Sequence, residues 1–392
     1  MVKPNKNNEV FDLDQLSSWR SLFPIVRQVT YLNHAAVAPM SIRVKDAMDS
    51  FLQDLMTSGV DQIEASLQRR EDLRIMVADL IGAPATGIAF VKNTSAALNN
   101  LAQGLTWRTG DRILMVAGEF PSNIYPFTNL KKHGVEIDIL PTRNGVFSSQ
   151  DLERAITTRT RLVTVSFVQF HNGFKTNLEA LGTICRSKDV WLSVDSIQGC
   201  GVVPLEAKDW GIDFLANGGH KWLMSPAGIG IQYVGEELLE EMEVATLSWL
   251  SVKNAWDFDT SRIDLLDDAR RFEYATENFI GIYGMHAALS LLLEVGIGNI
   301  YRHVTFLIDR LVQGLTTSGC KIISSMEPDH RSGILAFSMR SEDATRKVFD
   351  SLKSRRFIVS LRNGNIRVAP HFYNSMDEVE GFLDAVTESS GL

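Results

Sequence analysis

The sequence predicts an α/β fold in two unequal parts: a large domain with a mainly parallel central sheet sandwiched by helices, and a smaller α+β C-terminal domain. Three observations carry this. Apolar runs of strand length alternate with stretches of helical spacing, the pattern of a parallel sheet covered by helices. From about Ser290 the style changes to mixed strands with helices on one side. The chain has 392 residues, and at roughly 150 residues per domain that is more than one ordinary core. No internal repeat or low-complexity linker divides it, so the parts are expected to pack together.

In chain order, strands are expected at Ile88–Val91, Ile113–Val116, Leu162–Phe167, Trp191–Val194, Phe214–Ala216 and Ile229–Val234. Between them, Thr94–Leu105, Ser149–Thr157 and Leu178–Ser187 have helical spacing. The later part predicts strands at Lys321–Ser324 and Gly333–Met339 and a helix near Asp343–Ser354. Ile358–Leu361 and Ile366–Ala369, joined by Asn363-Gly364, read as a hairpin. Ser375-Met376-Asp377-Glu378 is a capping-box start for a final helix. The expected division is a large domain over 30–285 and a small domain over 1–29 plus 286–392.

Lys plus Arg is 39 and Asp plus Glu is 47, a net charge of −8. That balance argues against a nucleic-acid binder, which concentrates positive charge. The basic group Lys353, Arg355 and Arg356 sits at a predicted helix C-terminus, where positive charge complements the dipole. No apolar run reaches the ~20 residues of a membrane span, and the N-terminus lacks a signal peptide's apolar core. No membrane partner and a cytoplasmic location are therefore expected. Cys185, Cys200 and Cys320 are far apart and form no C-x-x-C pair, so neither a disulfide nor a metal site is expected. No G-x-G-x-x-G follows a strand, and no P-loop or H-E-x-x-H is present.

The most informative residues are Asp195-Ser196-Ile197-Gln198 and, 26 residues beyond Asp195, the lysine of Gly218-Gly219-His220-Lys221-Trp222. Asp195 ends an apolar strand, and in open α/β sheets ligands sit at the carboxyl ends of strands. A carboxylate there needs a cationic or protonated partner, or desolvation raises its pKa. Alone, Asp195 reads as a helix cap and Lys221 as a solvated amine. Together they suggest pyridoxal chemistry, in which a lysine forms a Schiff base and a carboxylate keeps the pyridine nitrogen protonated.

Asp195-Ser196-Ile197-Gln198-Gly199, Phe214 through Trp222, and Pro226-Ala227-Gly228-Ile229-Gly230-Ile231 resemble the core signature of class V aminotransferases. These are fold-type I enzymes dependent on pyridoxal 5′-phosphate, a group that includes cysteine desulfurases, kynureninases and isopenicillin-N-epimerase-like proteins. Tyr31-Leu32-Asn33-His34-Ala35-Ala36, Asn93-Thr94-Ser95, Glu119-Phe120-Pro121-Ser122-Asn123, Arg271 to Asn278 and Ile366 to Asn374 resemble further landmarks in order, from about residue 30 to about 380.

The resemblance implies roles. Asn93, Thr94 and Ser95 form the phosphate-binding turn at a helix start, where free N–H groups and the dipole favour an anion. Phe120 stacks on the pyridine ring, unless it is a core aromatic. Gln198 hydrogen-bonds the phenolic oxygen, and His220 reaches the phosphate. Many relatives have serine where Gly218 stands, so one phosphate contact is missing or replaced, with Asn217 as the replacement considered. Thr276 is expected to reach the phosphate from the partner subunit, giving a homodimer with a shared active site.

Arg367 is expected to grip the substrate α-carboxylate through paired charge-assisted bonds; Arg362 is the alternative, because a desulfurase-like alignment picks it instead. Surface ion pairing is the competing reading of both. His34 and Asn172 are further substrate-pocket residues. His171, His286 and His371 are read as structural.

The implied reaction is Schiff-base and quinonoid chemistry at the α-carbon of a small-molecule amino-acid substrate, with transamination preferred. An isopenicillin-N-epimerase-like epimerase or a C–S/β-lyase is the alternative, and a non-catalytic interaction protein the last. Persulfide-forming desulfuration needs a cysteine near the substrate arginine, and the short Asn363-Gly364 turn carries none.

Overall fold

The computed structural model of the chain describes residues 10–143 and 145–390. Its centre is a seven-stranded sheet: β1 (Ile88–Val91), β2 (Arg112–Val116), β3 (Glu136–Leu140), β4 (Thr160–Ser166), β5 (Trp191–Asp195), β6 (Phe214–Gly218) and β7 (Gly230–Val234). The spatial order is β1-β7-β6-β5-β4-β2-β3. Pairing is parallel from β6 through β3, and β7 runs antiparallel to both β6 and β1. Only β7 is reversed, so β1, β2, β4, β5 and β6 all deliver their carboxyl ends to one edge of the sheet.

Residues on both faces of the inner strands are buried, as covering helices require: β5 hides Leu192 and Val194 together with Ser193, and β6 and β7 are buried throughout. Strand β3 is the one the apolar-run reading missed. It is an edge strand of alternating Glu136-Ile137-Asp138-Ile139, mostly half-exposed, and an edge strand needs no continuous apolar run. Arg112 on β2 holds it by ion pairs to Asp138 at 2.9 Å and to Glu136. Helix Leu178–Ser187 has the expected bounds, and Thr94–Gly104 and Ser149–Ala155 end one and two residues early.

The smaller part contains a four-stranded antiparallel sheet: β8 (Lys321–Ile322), β9 (Leu335–Ser338), β10 (Ser360–Arg362) and β11 (Asn365–Val368), in the order β10-β11-β9-β8. Asn363 and Gly364 both have positive φ (49° and 76°), the conformation an Asn-Gly hairpin turn requires. The run expected as one strand, Ile358–Leu361, is split in two. Its first part pairs in parallel with the N-terminal segment, Thr30 with Phe357 and Tyr31 with Ile358; the second joins the hairpin. Ser375 and Glu378 make the reciprocal capping bonds, 2.9 and 3.3 Å.

The expected division at 285/286 falls inside an unbroken helix, Phe279–Val295. The break comes at Gly296 (φ 85°), after which the chain turns by 74° into helix Ile297–Thr317. The first helix is buried on all sides over Gly281–Met285, more than one full turn, and packs on helices Ile42–Ser58 and Ile63–Ile81, so it belongs with the large core. No single helix among the described residues is long and apolar enough to cross a membrane.

Candidate active site

The carboxyl ends of the co-directed strands meet at a cavity of about 450 Å³. Strand β1 leads into Asn93, Thr94 and Ser95; β2 into Phe120; β4 into Phe170; β5 into Asp195, Ile197 and Gln198; and β6 into His220 and Lys221. Arg362 and Arg367 on the hairpin of the small sheet close it from above, and Ala35, Ala36 and Val37 form a side wall.

Asp195 and Lys221 face this cavity from adjacent strands. Asp195 is buried, and its Oδ1 accepts the Ile197 N–H at 3.0 Å, which leaves Oδ2 for a protonated or cationic partner. Burial raises the Asp195 carboxyl above its ordinary range, and the neighbouring Glu119 adds to this; the Ile197 N–H and Lys221 pull the other way. Lys221 moves in the opposite direction. Burial depresses its ammonium most, Arg367 and Arg362 add repulsion, and Asp195 alone holds it up. A lysine so placed gives up its proton readily, which is what a nucleophilic or basic amine requires. Its Nζ stands 5.6 Å from the Phe120 ring centre, and Phe120 meets Phe170 edge-on at 5.2 Å.

Arg367 is 1% exposed. Its Nη1 donates to the Phe170 carbonyl at 2.6 Å and its Nε to Ser360 Oγ at 3.2 Å, and it makes no ion pair among the described residues. Burial, then Arg362, lowers its pKa to about 10. A buried guanidinium without a carboxylate is costly unless an anion arrives. Arg362 is exposed, and among the described residues its side chain bonds only the Leu361 carbonyl, at 2.9 Å. Neither arginine is held in a surface ion pair among the described residues.

The sequence model of the aminotransferase class-V family matches residues 30–380. The chain belongs to the class-V aminotransferase family. Curated relatives include the uncharacterized aminotransferase YcbU of Bacillus subtilis, 28% identical over 94% of this chain and 96% of that protein. A probable cysteine desulfurase of Pyrococcus abyssi is 28% identical with the same coverage. Among solved structures, the cysteine desulfurase of Thermococcus onnurineus in its apo form superposes with a TM-score of 0.87 at 26% identity, over 96% of this chain and 98% of that one. The cystine C–S lyase C-DES shares the fold, with a TM-score of 0.87 at 23% identity over 93% and 99% of the two chains. The fold-type I architecture expected from the sequence is the one observed.

The family's cofactor is pyridoxal 5′-phosphate, and the cavity fits it. At one end, Asn93 caps helix Thr94–Gly104 by accepting the Ala96 N–H at 2.9 Å, so the first N–H groups of the helix stay available to an anion. The buried hydroxyl of Thr94 has no hydrogen-bond partner among the described residues, which suits it to a phosphate oxygen. Ser95 Oγ bonds Ser122 Oγ at 2.9 Å, and both line the cavity. His220 is pushed toward its neutral form by burial and by Lys221. A Cβ on Gly218 would lie 3.2 Å from Thr94 Oγ1 and 3.4 Å from His220 Cε1, so this glycine lets the two approach one anion. Asn217 does not replace the missing serine, because its amide is engaged by Ser196 Oγ (3.2 Å) and the Gly218 carbonyl (3.3 Å).

Two residues expected in the substrate pocket stand elsewhere. His34 is fully buried between the Ala369 carbonyl (2.8 Å) and the Tyr373 hydroxyl (2.7 Å); both ring nitrogens are used, and burial lowers its pKa to about 4. Its role is to pin the segment whose next residues form the side wall. Asn172 is also buried and spends Oδ1 on the Phe174 N–H at 3.0 Å; Phe170, two residues earlier, is the one in the cavity wall. Thr276 lines a separate cavity of about 280 Å³ with Gly228, Glu273 and Asn278, away from Lys221 of its own chain. Sequence reasoning missed Phe170 and gave no role to Ser122 and Glu119, which it quoted only as part of the segment around Phe120. Phe170 follows β4 as Phe120 follows β2, so the strand-end rule applied to β4 would have found it. Buried Glu119 opens the landmark that contains Phe120, but that resemblance gave it no role; it is held by the Ser166 N–H, Asn123 and Gln169 at 2.8, 3.1 and 2.7 Å.

Proposed function

We propose that Lys221, Asp195 and Arg367 carry out pyridoxal-phosphate chemistry at the α-carbon of an amino acid, with transamination as the preferred outcome. The observation that carries this is one cavity holding a depressed lysine, a buried carboxylate and an unpaired buried arginine. When bound, the cofactor supplies a ring that accepts the electrons released at the α-carbon. Asp195 would keep the ring nitrogen protonated, and Phe120 would pack against the ring. Thr94, Ser95, His220 and the helix start would hold the phosphate. Arg367 fixes the substrate carboxylate and thereby the orientation of the α-carbon. Lys221 Nζ, as a neutral amine, would be the base for the substrate α-proton.

A second reading, cleavage of a C–S bond by elimination, is favoured by the desulfurase and C–S lyase relatives. It does not run through a protein persulfide. Cys185, Cys200 and Cys320 are all buried and none lines the cavity; burial pushes the first two up to about 12 and the third to about 11, so none supplies a thiolate. The working unit is a homodimer in which Thr276 faces the partner's phosphate site. Leu52, Leu55, Met56 and Val60, exposed along and just beyond helix Ile42–Ser58, supply apolar area for it.

The test is the visible absorbance of protein loaded with pyridoxal phosphate. Lys221→Ala abolishes the lysine-bound band; an unchanged band in the variant removes the assignment. An amino-acid panel read by mass spectrometry then separates the outcomes. Keto acid with aminated cofactor marks transamination, solvent deuterium at scrambled Cα marks epimerisation, and sulfide or pyruvate marks a lyase.

A further inference from the structure

Trp222, next to the lysine, is fully buried and takes no direct part in the reading above. Its indole N–H donates to Gln198 Oε1 at 3.0 Å, and Gln198 Nε2 donates to the Ala35 carbonyl at 3.0 Å. An indole nitrogen is a donor only and a carbonyl is an acceptor only, so these two contacts fix which way the carboxamide points. Turned over, it would set donor against donor and carbonyl against carbonyl. In the observed orientation one hydrogen of the amide remains unspent among the described residues, on a side chain that lines the cavity.

The indole itself cannot swing away. A Cβ on Gly333 would lie 2.7 Å from its Cη2 and 3.0 Å from its Cζ3, and the His371 and His34 rings pack at 5.6 and 6.2 Å. Gly333 precedes strand β9 of the small sheet, so the indole is clamped between the two sheets' neighbourhoods.

We propose that Trp222 is a positioning residue that fixes Gln198 as a hydrogen-bond donor to the oxyanion on the bound pyridine ring. This rests on the cofactor reading. A donor at that oxygen stabilises its negative charge and makes the lysine–cofactor linkage easier to deprotonate. The same amide ties the ring site to Ala35, so the side wall and the ring oxygen share one fixed group.

The test is a pH titration of the visible absorbance in protein loaded with pyridoxal phosphate. Trp222→Phe keeps an aromatic ring in the clamp and removes only the donor. The midpoint is expected to rise by about one pH unit, a tenfold change of the size a hydrogen bond to a charged group gives. Gln198→Leu moves it in the same direction, and the double variant moves it no further than Gln198→Leu alone. The proposal is overturned if Trp222→Phe lowers the melting temperature but leaves the midpoint where it was while Gln198→Leu shifts it. It is equally overturned if the two shifts add. A wild-type protein with no lysine-bound band would instead remove the cofactor reading, and is told apart because it needs no variant.

Discussion

Replacing Arg367 by glutamine is expected to change stability and substrate affinity in opposite directions. The guanidinium is charged at neutral pH in both the folded and the unfolded chain. Its folded pKa, lowered from 12.5 to about 10 by burial and then by Arg362, therefore measures a full cost of about 3 kcal/mol. Against this stand its bonds to Phe170 and Ser360, about 2 kcal/mol together. The substrate-free variant comes out about 1 kcal/mol more stable by that difference, a rise of roughly 1 °C in melting temperature for a chain this long. Substrate binding goes the other way. Losing two charge-assisted bonds to a carboxylate removes about 3–4 kcal/mol, roughly a 100- to 1000-fold fall in kcat/KM. Melting of the cofactor-loaded protein and spectral titration with a reactive amino acid read the two effects separately. A variant that melts several degrees lower and keeps its KM would show that Arg367 is a structural cation, and would refute the carboxylate role.

Asp195→Asn should flatten the pH dependence of cofactor-free stability. The folded carboxyl is raised by burial, so its contribution is full below the unfolded value of 3.8 and is lost as pH rises through the raised folded value; denaturant midpoints across that window check it, and an unchanged slope counts against it. Thr94→Val should leave cofactor-free stability unchanged or slightly higher, since the hydroxyl has no partner among the described residues, while weakening pyridoxal-phosphate affinity roughly fivefold for about 1 kcal/mol. Quenching of tryptophan fluorescence by added cofactor measures it, and equal affinity would place the phosphate elsewhere.

Much of this organisation was legible in the residues because burial on both faces forces continuous apolar runs. Trp191–Val194 and Phe214–Ala216 announce central strands, and a polar residue at the end of each stands out. Strand β3 was hidden because an edge strand keeps one side wet. The cavity-lining residues that are close in sequence, Asn93 to Ser95 and His220 to Lys221, could be grouped from the sequence because each cluster sits on one turn. His34 and Asn172 were misplaced because polar residues beside a cavity either face it or hold the backbone that does. Only the positions of Ala369, Tyr373 and Phe174 decide between the two. Glu119 and Trp222 fall inside stretches that resemble the family, but the stretches say nothing of their partners, and their roles exist only as contacts made in the folded chain.

The pairing of the chain's two extremities has a consequence for biogenesis. Arg20 reaches the Tyr373 carbonyl at 2.7 Å across 353 residues and forms an ion pair with Glu378, while Thr30 and Tyr31 lie beside Phe357 and Ile358. At roughly 5–20 residues per second, a ribosome needs about 20–70 s to traverse that interval. For all of that time the opening segment waits without its mate, and so does the wall at Ala35–Val37 that it anchors. The large sheet can assemble during elongation, whereas the pocket's rim is sealed only after the last helix has left the exit tunnel. A nascent chain halted before then would carry lysine and carboxylate in place beside an open, unfinished door.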